Sequence, residues 1–98
     1  MNINEMFPVF SIQINVWGHL EHRLVSARSA EEVPGIFKKF LENEREQSRL
    51  RGFRDNDTYA FIYNEIDWDR SDLLYALSVD RVQGVFADRE DTCWEFGG

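Results

Sequence analysis

The chain opens with alternating apolar and polar residues, a pattern typical of a β-strand. The apolar set consists of Phe10, Ile12, Ile14 and Val16. A period of two places one set of side chains on a core and the other on a largely polar face. After a predicted turn at Gly18-His19, the segment from Leu20 to Ala27 returns as a second strand. The pattern therefore predicts a β-hairpin at the start of the chain.

The next segment has the apolar spacing of a helix. Its stripe consists of Ile36, Phe37, Phe40 and Leu41, which repeats at helical intervals. Ser29 followed by Glu32 has the form of a capping box, and Pro34 suits the first position of a helix. The helix therefore starts either with Ser29 as its cap or at Pro34. From Glu42 to Arg51 the sequence is almost entirely charged or polar, so we expect this half to project into solvent, with Gly52 as the helix stop.

The middle of the chain contains one strong strand pattern and one ambiguous segment. Thr58 to Ile66 is rich in aromatic and β-branched residues and is predicted to be a strand. Leu73 to Val79 fits a short helix and a strand equally well in its apolar spacing. The possible capping residues Asp69 and Ser71 favour the helix.

Two further strands are predicted near the end of the chain. Val82 to Ala87 and Thr92 to Phe96 alternate suitably, and Asp88-Arg89-Glu90-Asp91 is predicted to join them as a hairpin loop. The predicted fold class is α+β, an antiparallel β-sheet with one long helix packed on it and a second short helix as an option. With 98 residues and 11.6 kDa, residues 1–98 are expected to form a single compact domain.

The net charge and its distribution along the chain indicate what kind of partner the protein binds. The formal net charge is −7, which argues against direct binding of nucleic acid or of an anionic membrane surface and fits a basic partner. Residues 1–54 carry a net charge of +1, whereas residues 55–98 carry −8. Such asymmetry predicts one acidic face.

Several acids of the second half recur two residues apart, as in Asp67 and Asp69. Two extended residues span roughly 6.6–6.8 Å, close to the spacing of about 6–7 Å between phosphates along one nucleic-acid strand. Arginine recognises carboxylate and phosphate alike, so such acids could occupy sites built for phosphate. An ordinary acidic surface that serves solubility is the alternative.

Trp68 lies between two of these acids and is a candidate interface anchor, since interfaces favour Trp inside a polar rim. The alternative is that Trp68 folds back to cover the core. The predicted partner-binding residues are Asp55, Asp57, Glu65, Asp67, Trp68, Asp69, Asp72, Asp88, Glu90 and Asp91.

Catalytic and metal-binding patterns are weak. Cys93 is the sole cysteine and is interpreted as a small core residue, and His19 and His22 as surface residues. The acids from Asp67 to Asp72 resemble the opening of a calcium loop but lack its glycine and distal glutamate. We therefore expect a non-enzymatic protein with no cofactor and no metal. The lone thiol, the N-terminus without a signal-peptide pattern and the lack of a long apolar run predict a cytoplasmic protein.

In length, acidic bias, α+β pattern and the acidic run from Asp55 to Asp91, the chain resembles small phage-encoded anti-CRISPR proteins. It resembles in particular the inhibitors of type I-F surveillance complexes that are regarded as mimics of double-stranded DNA. The resemblance carries no shared motif, so no residue role is transferred. It implies binding to the RNA-guided complex at its target-DNA site, without catalysis. An immunity protein or antitoxin that covers the basic active site of a nuclease is the alternative function.

Overall fold

The predicted α+β class is confirmed by a computed structural model, which describes residues 6–16, 18–50 and 58–95. The structure contains a four-stranded antiparallel sheet, one long helix and two shorter helices. The elements are β1 Phe7–Val16, β2 His19–Ser26, α1 Val33–Leu50, α2 Thr58–Glu65, α3 Leu73–Ala76, β3 Asp80–Ala87 and β4 Thr92–Glu95.

The order of the strands in the sheet is β3-β1-β2-β4. Because β1 and β2 occupy the centre, β3 and β4 lie at opposite edges, and the predicted β3–β4 hairpin is wrong. The segment 88–91 instead crosses the sheet end where β1 begins and β2 ends. The Asp91 amide donates a hydrogen bond of 3.0 Å to the Ser26 carbonyl there.

The predicted hairpin between β1 and β2 is confirmed, with its turn displaced by one residue. Val16 pairs with His19, so His19 belongs to β2 and not to the turn. Gly18 has a φ of 88°, a conformation that glycine adopts without steric penalty. Its amide donates a 2.9 Å hydrogen bond to Asn15 Oδ1.

The long helix begins at Val33, after a 3₁₀ turn at Ala30–Glu32. Pro34 is thus in the first turn, where a missing amide hydrogen leaves no bond unmade, close to the second of the two predicted starts. Ser29 is the N-cap of the 3₁₀ turn but makes no side-chain cap bond, so the predicted capping box does not form. Glu32 Oε2 accepts a 3.2 Å hydrogen bond from the Arg28 amide instead. Gly52 lies outside the described residues.

The predicted strand over Thr58 to Ile66 is wrong, because this segment forms the helix α2. The residues that pack against the core are Tyr59, Ile62, Tyr63 and Ile66. Their spacing is that of one helical face, and Ile62 is fully buried. Burial against α1 therefore decides the structure of this segment, overriding its β-forming composition. For the ambiguous segment after residue 72, α3 agrees with the favoured helical interpretation.

Strand β3 contains a large bulge, and the side chain of Arg81 lies inside it. Arg81 pairs with Phe10 and Phe86 with Pro8, so four residues of β3 lie opposite Val9 alone. The guanidinium of Arg81 lies 5.9 Å from the ring of Phe10 and 4.9 Å from that of Phe86. Its Nη1 donates to three carbonyls, those of Val9, Val82 and Val85. Two carbonyl groups of the bulge, those of Val82 and Val85, are therefore hydrogen-bonded within the protein.

One buried apolar cluster joins the sheet to the helices. Its members are Phe10, Ile12, Ile14, Val25, Ala27, Val33, Phe37, Leu41, Ile62 and Leu77. Phe37 and Leu41 of α1 lie at its centre, each about 1% exposed. Phe40, on the same helix, is only half-buried.

We expect Phe37→Ala to lower the free energy of unfolding by about 3–5 kcal/mol, because it opens a cavity in the centre of this cluster. Phe40→Ala should cost clearly less, since part of its ring is already solvated. Urea denaturation of both variants gives the two values. Equal losses would contradict the packing described for α1.

Candidate acidic binding surface

The segment between α2 and α3 carries the densest group of predicted binding residues. It forms a turn: the Arg70 amide donates to the Asp67 carbonyl at 3.3 Å, and the Asp69 amide donates to Asp67 Oδ1 at 3.1 Å. The expected extended spacing of Asp67 and Asp69 is therefore wrong. Both carboxylates are nevertheless exposed, and so is Glu65 at the end of α2.

The structure places Trp68 against the core, as the alternative interpretation predicted. Its Nε1 donates a 3.1 Å hydrogen bond to the Tyr63 carbonyl. Its ring lies 6.3 Å from Phe37 and 5.7 Å from Tyr63. The half-buried indole therefore covers the apolar cluster, and little of it is left to anchor a partner.

Arg70 lies among these acids and pairs with one of them. It donates two hydrogen bonds to the carboxylate of Asp72, one of them 3.0 Å from Nη2 to Oδ2. These bonds lower the pKa of Asp72 and raise the pKa of Arg70. Asp72 thus stays ionised well into the acidic range, but part of its charge is neutralised.

Tyr75 is the exposed aromatic residue of this region, and the sequence analysis missed it. It belongs to α3 and is 84% exposed. Together with Arg70 and Asp80 it lines a shallow depression of about 670 Å³. A helical interpretation of the segment already turns Leu73, Leu74 and Leu77 inward, so it could have placed Tyr75 on the outer face.

We call these neighbouring residues the connector surface: Glu65, Asp67, Asp69, Arg70, Asp72, Tyr75 and Asp80. Five carboxylates accompany one cation here. A surface of this kind offers a basic partner both charge and an aromatic side chain.

The remaining predicted residues of the described chain lie in the loop between β3 and β4. Glu90 accepts two hydrogen bonds from the Arg28 guanidinium, of 2.7 and 3.2 Å. Carboxylate oxygens of Glu32, Glu90 and Asp91 lie within 4.8 Å of one another. Arg28 contacts two of these three residues, which offsets part of their repulsion. Asp88 is exposed.

The two acidic groups of the described residues lie near opposite ends of β1. Ala87, next to the loop, pairs with Phe7 at the start of β1. Asp67 lines a depression with Val16, at the other end of that strand. Nine steps along a strand correspond to roughly 30 Å. Asp55 and Asp57 lie outside the described residues.

Basic residues of α1 are engaged by aromatic rings and acids of the protein itself. Lys38 Nζ lies 5.8 Å from the ring of Trp68, and the Arg45 guanidinium lies 5.8 Å from that of Tyr63. Arg49 pairs with Glu46 at 2.6 Å, and the hydrogen bond lowers the pKa of Glu46. These contacts account for part of the positive charge on the long helix without a second binding surface.

Burial raises the pKa of the Cys93 thiol to about 12, against a smaller opposite effect of Arg23. The thiol is therefore protonated at neutral pH and is a poor nucleophile. This agrees with its interpretation as a core residue. His22 is half-buried on β2, and the side chain of His19 lies outside the described structure.

Comparison with protein-family models, with curated proteins and with solved structures finds no match. Within residues 6–16, 18–50 and 58–95, no helix combines the length and the apolar character needed to cross a membrane.

We expect Cys93 to react with iodoacetamide at pH 8 about 10³-fold more slowly than an ordinary cysteine, because so little thiolate is present. The rate should rise about tenfold per pH unit up to pH 10. Mass spectrometry of quenched samples gives the rate, and the same protein in urea provides the reference. A plateau between pH 8 and 9 would contradict the raised pKa.

Proposed function

We propose that this protein is a non-enzymatic inhibitor that binds a basic nucleic-acid-binding site of a host defence complex, namely a CRISPR surveillance complex. It would act in the host-cell cytoplasm and block binding of target DNA. The observation that carries the proposal is the connector surface, where exposed Asp67 and Asp69 lie near the 84% exposed side chain of Tyr75.

The chemistry of such a site favours this surface. A groove that binds DNA presents Arg and Lys toward phosphates, and Arg binds carboxylates with the same bidentate geometry. Charge complementarity also accelerates association. Because Asp67 and Asp69 lie in a turn, support comes from charge and exposure and not from a phosphate-like repeat.

One observation favours the alternative of an immunity protein. The two acidic groups of the described chain lie at opposite ends of β1, so each offers a compact contact. A compact acidic contact suits the active site of a nuclease better than a long duplex-binding channel.

Purified type I-F surveillance complex, labelled target duplex and an excess of this protein test the proposal in a gel-shift assay. We expect less DNA-bound complex when the protein is present. The protein alone should not shift the duplex at about 150 mM salt, because its net charge of −7 repels it. An unchanged complex–DNA band, or a shift by the protein alone, would overturn the proposal; inhibition of a purified nuclease instead would favour the alternative.

Asp67→Lys with Asp69→Lys should abolish the inhibition while leaving the fold intact, since exposed substitutions usually change stability by less than about 0.5 kcal/mol. Lysine adds repulsion against the partner's cations, so the loss should exceed that of Asn substitutions. Glu42→Lys with Glu46→Lys is the control that makes the same charge change on α1, where both residues are exposed; it removes one exposed contact each, with Tyr63 and with Arg49, so its thermal midpoint is measured alongside. Equal losses from the two pairs would assign the effect to net charge and not to the connector surface.

Tyr75→Ala should weaken inhibition by about tenfold or more, as truncation of an interface tyrosine commonly does. Its thermal midpoint should stay unchanged, because the side chain is 84% exposed. Tyr75→Phe separates the hydroxyl from the ring. Full inhibition by the alanine variant would exclude Tyr75 from the interface.

A further inference from the structure

A glycine in the first turn of α1 has no structural reason to be a glycine. Gly35 is exposed, its φ is not positive, and nothing lies within 4 Å of where a Cβ atom would stand. Glycine destabilises a helix relative to alanine. A remaining use of glycine is to let another molecule approach the backbone closely.

Gly35 lines a cleft between α1 and β4 with a volume of about 550 Å³. Its apolar lining comes from Ile36 and Phe40 of α1 and Cys93 of β4. The ring of Phe40 is held by its neighbours, since it stacks on Phe37 at 6.4 Å and meets Tyr59 edge-on at 6.0 Å. The Arg23 guanidinium lies over the same ring, 5.6 Å from its centroid. The lining is therefore a preformed surface.

Acidic side chains surround this apolar lining. Glu31, Glu32 and Asp91 line the cleft together with one cation, Lys39. All four are exposed. A side chain with an apolar stem and a positively charged end matches this arrangement, because the stem covers the rings while the charge reaches the carboxylates.

The outer edge of β4 borders the cleft. β4 is the last strand of the sheet order, and no described strand pairs with its outer side. An extended segment can add to such an edge by main-chain hydrogen bonds. Alternate side chains of that segment would then point toward the side of the sheet that carries Cys93 and the cleft.

We propose that this cleft is a docking site for an extended, arginine-bearing segment of a partner protein, which pairs along β4 and lays the apolar stem of an arginine against Ile36 and the edge of Phe40. The guanidinium binds the carboxylates of Glu31, Glu32 and Asp91, and the segment's backbone passes close to Gly35. Arginine fits better than lysine because its planar group binds carboxylates bidentately.

A second copy of this chain is the less suitable occupant. Pairing of two β4 edges would bring the acidic residues around both clefts together, and like charges across an interface oppose association. The site is also separate from the connector surface. None of the residues that line the cleft belongs to the connector surface.

The probe is a fluorescein-labelled octapeptide of alternating arginine and threonine, followed by fluorescence anisotropy at about 150 mM salt. We expect saturable binding to the wild-type protein. A peptide with citrulline in place of arginine keeps the shape and lacks the charge, and should bind at least about tenfold more weakly. A lysine peptide should fall between the two.

Gly35→Leu fills the cleft from a position where a side chain meets open space, so it should reduce binding about tenfold or more without lowering the thermal midpoint. Glu31→Gln should weaken binding, whereas Lys39→Gln should strengthen it, each by a few-fold. A general loss of stability would weaken binding in both variants, whereas a defined site predicts changes in affinity of opposite sign.

Asp67→Lys with Asp69→Lys should leave peptide binding within about twofold. Asp67 lies beside Val16, whereas Cys93 of the cleft is linked through Val25 to Phe10 in the sheet. Six residues of β1 separate these two places by roughly 20 Å, more than the Debye length of about 8 Å. The two proposals can therefore fail separately. Equal binding of the citrulline peptide, unchanged binding by Gly35→Leu, or displacement of the peptide by dimerisation of the protein would each overturn the docking site.

Discussion

The packing of α1 on the helix-facing side of β1 is the interaction on which the other elements depend. Phe37 and Leu41 share one buried cluster with Phe10, Ile12 and Ile14 of β1, Ile62 of α2 and Leu77 after α3. Helix α2 has only eight residues, and a helix this short is marginal by itself. Its helical form therefore depends on burying its apolar face against α1. Trp68 then closes the cluster through its contacts with Phe37 and Tyr63.

The sequence was sufficient to predict elements whose pattern is local. The alternation from Phe10 to Val16 gave β1, and the stripe that includes Phe37 and Leu41 gave α1. Two predictions failed for different reasons: one because composition was weighed above the local helical spacing of Tyr59, Ile62, Tyr63 and Ile66, the other because the strand order is set by contacts distant in sequence. Tyr59 to Ile66 has a β-forming composition but is helical where it packs on α1, and β3 cannot pair with β4 once β1 and β2 occupy the centre of the sheet.

For the candidate sites too, the sequence predicts what is local, and the rest depends on the fold. The acidic segments were identified by composition alone, but their separation follows from topology: the loop after β3 leaves at the start of β1, and the turn after α2 lies near its end. Exposure of Tyr75 and the approach of Glu31 to β4 require the three-dimensional packing. Gly35 is visible in the sequence, yet only the open space above it distinguishes it from a glycine needed for a turn.

The arginine-filled bulge of β3 bears on how copies of this protein can polymerise. Growth of a fibre by edge-to-edge addition of sheets requires two regular edges on each unit, one to receive a strand and one to offer it. In β3 the carbonyls of Val82 and Val85 are turned toward Arg81, and the bulge interrupts the regular ladder. Of the sheet's two edge strands, β4 alone has a regular ladder along its length, so two copies paired through β4 would leave no second regular edge from which a fibre could grow.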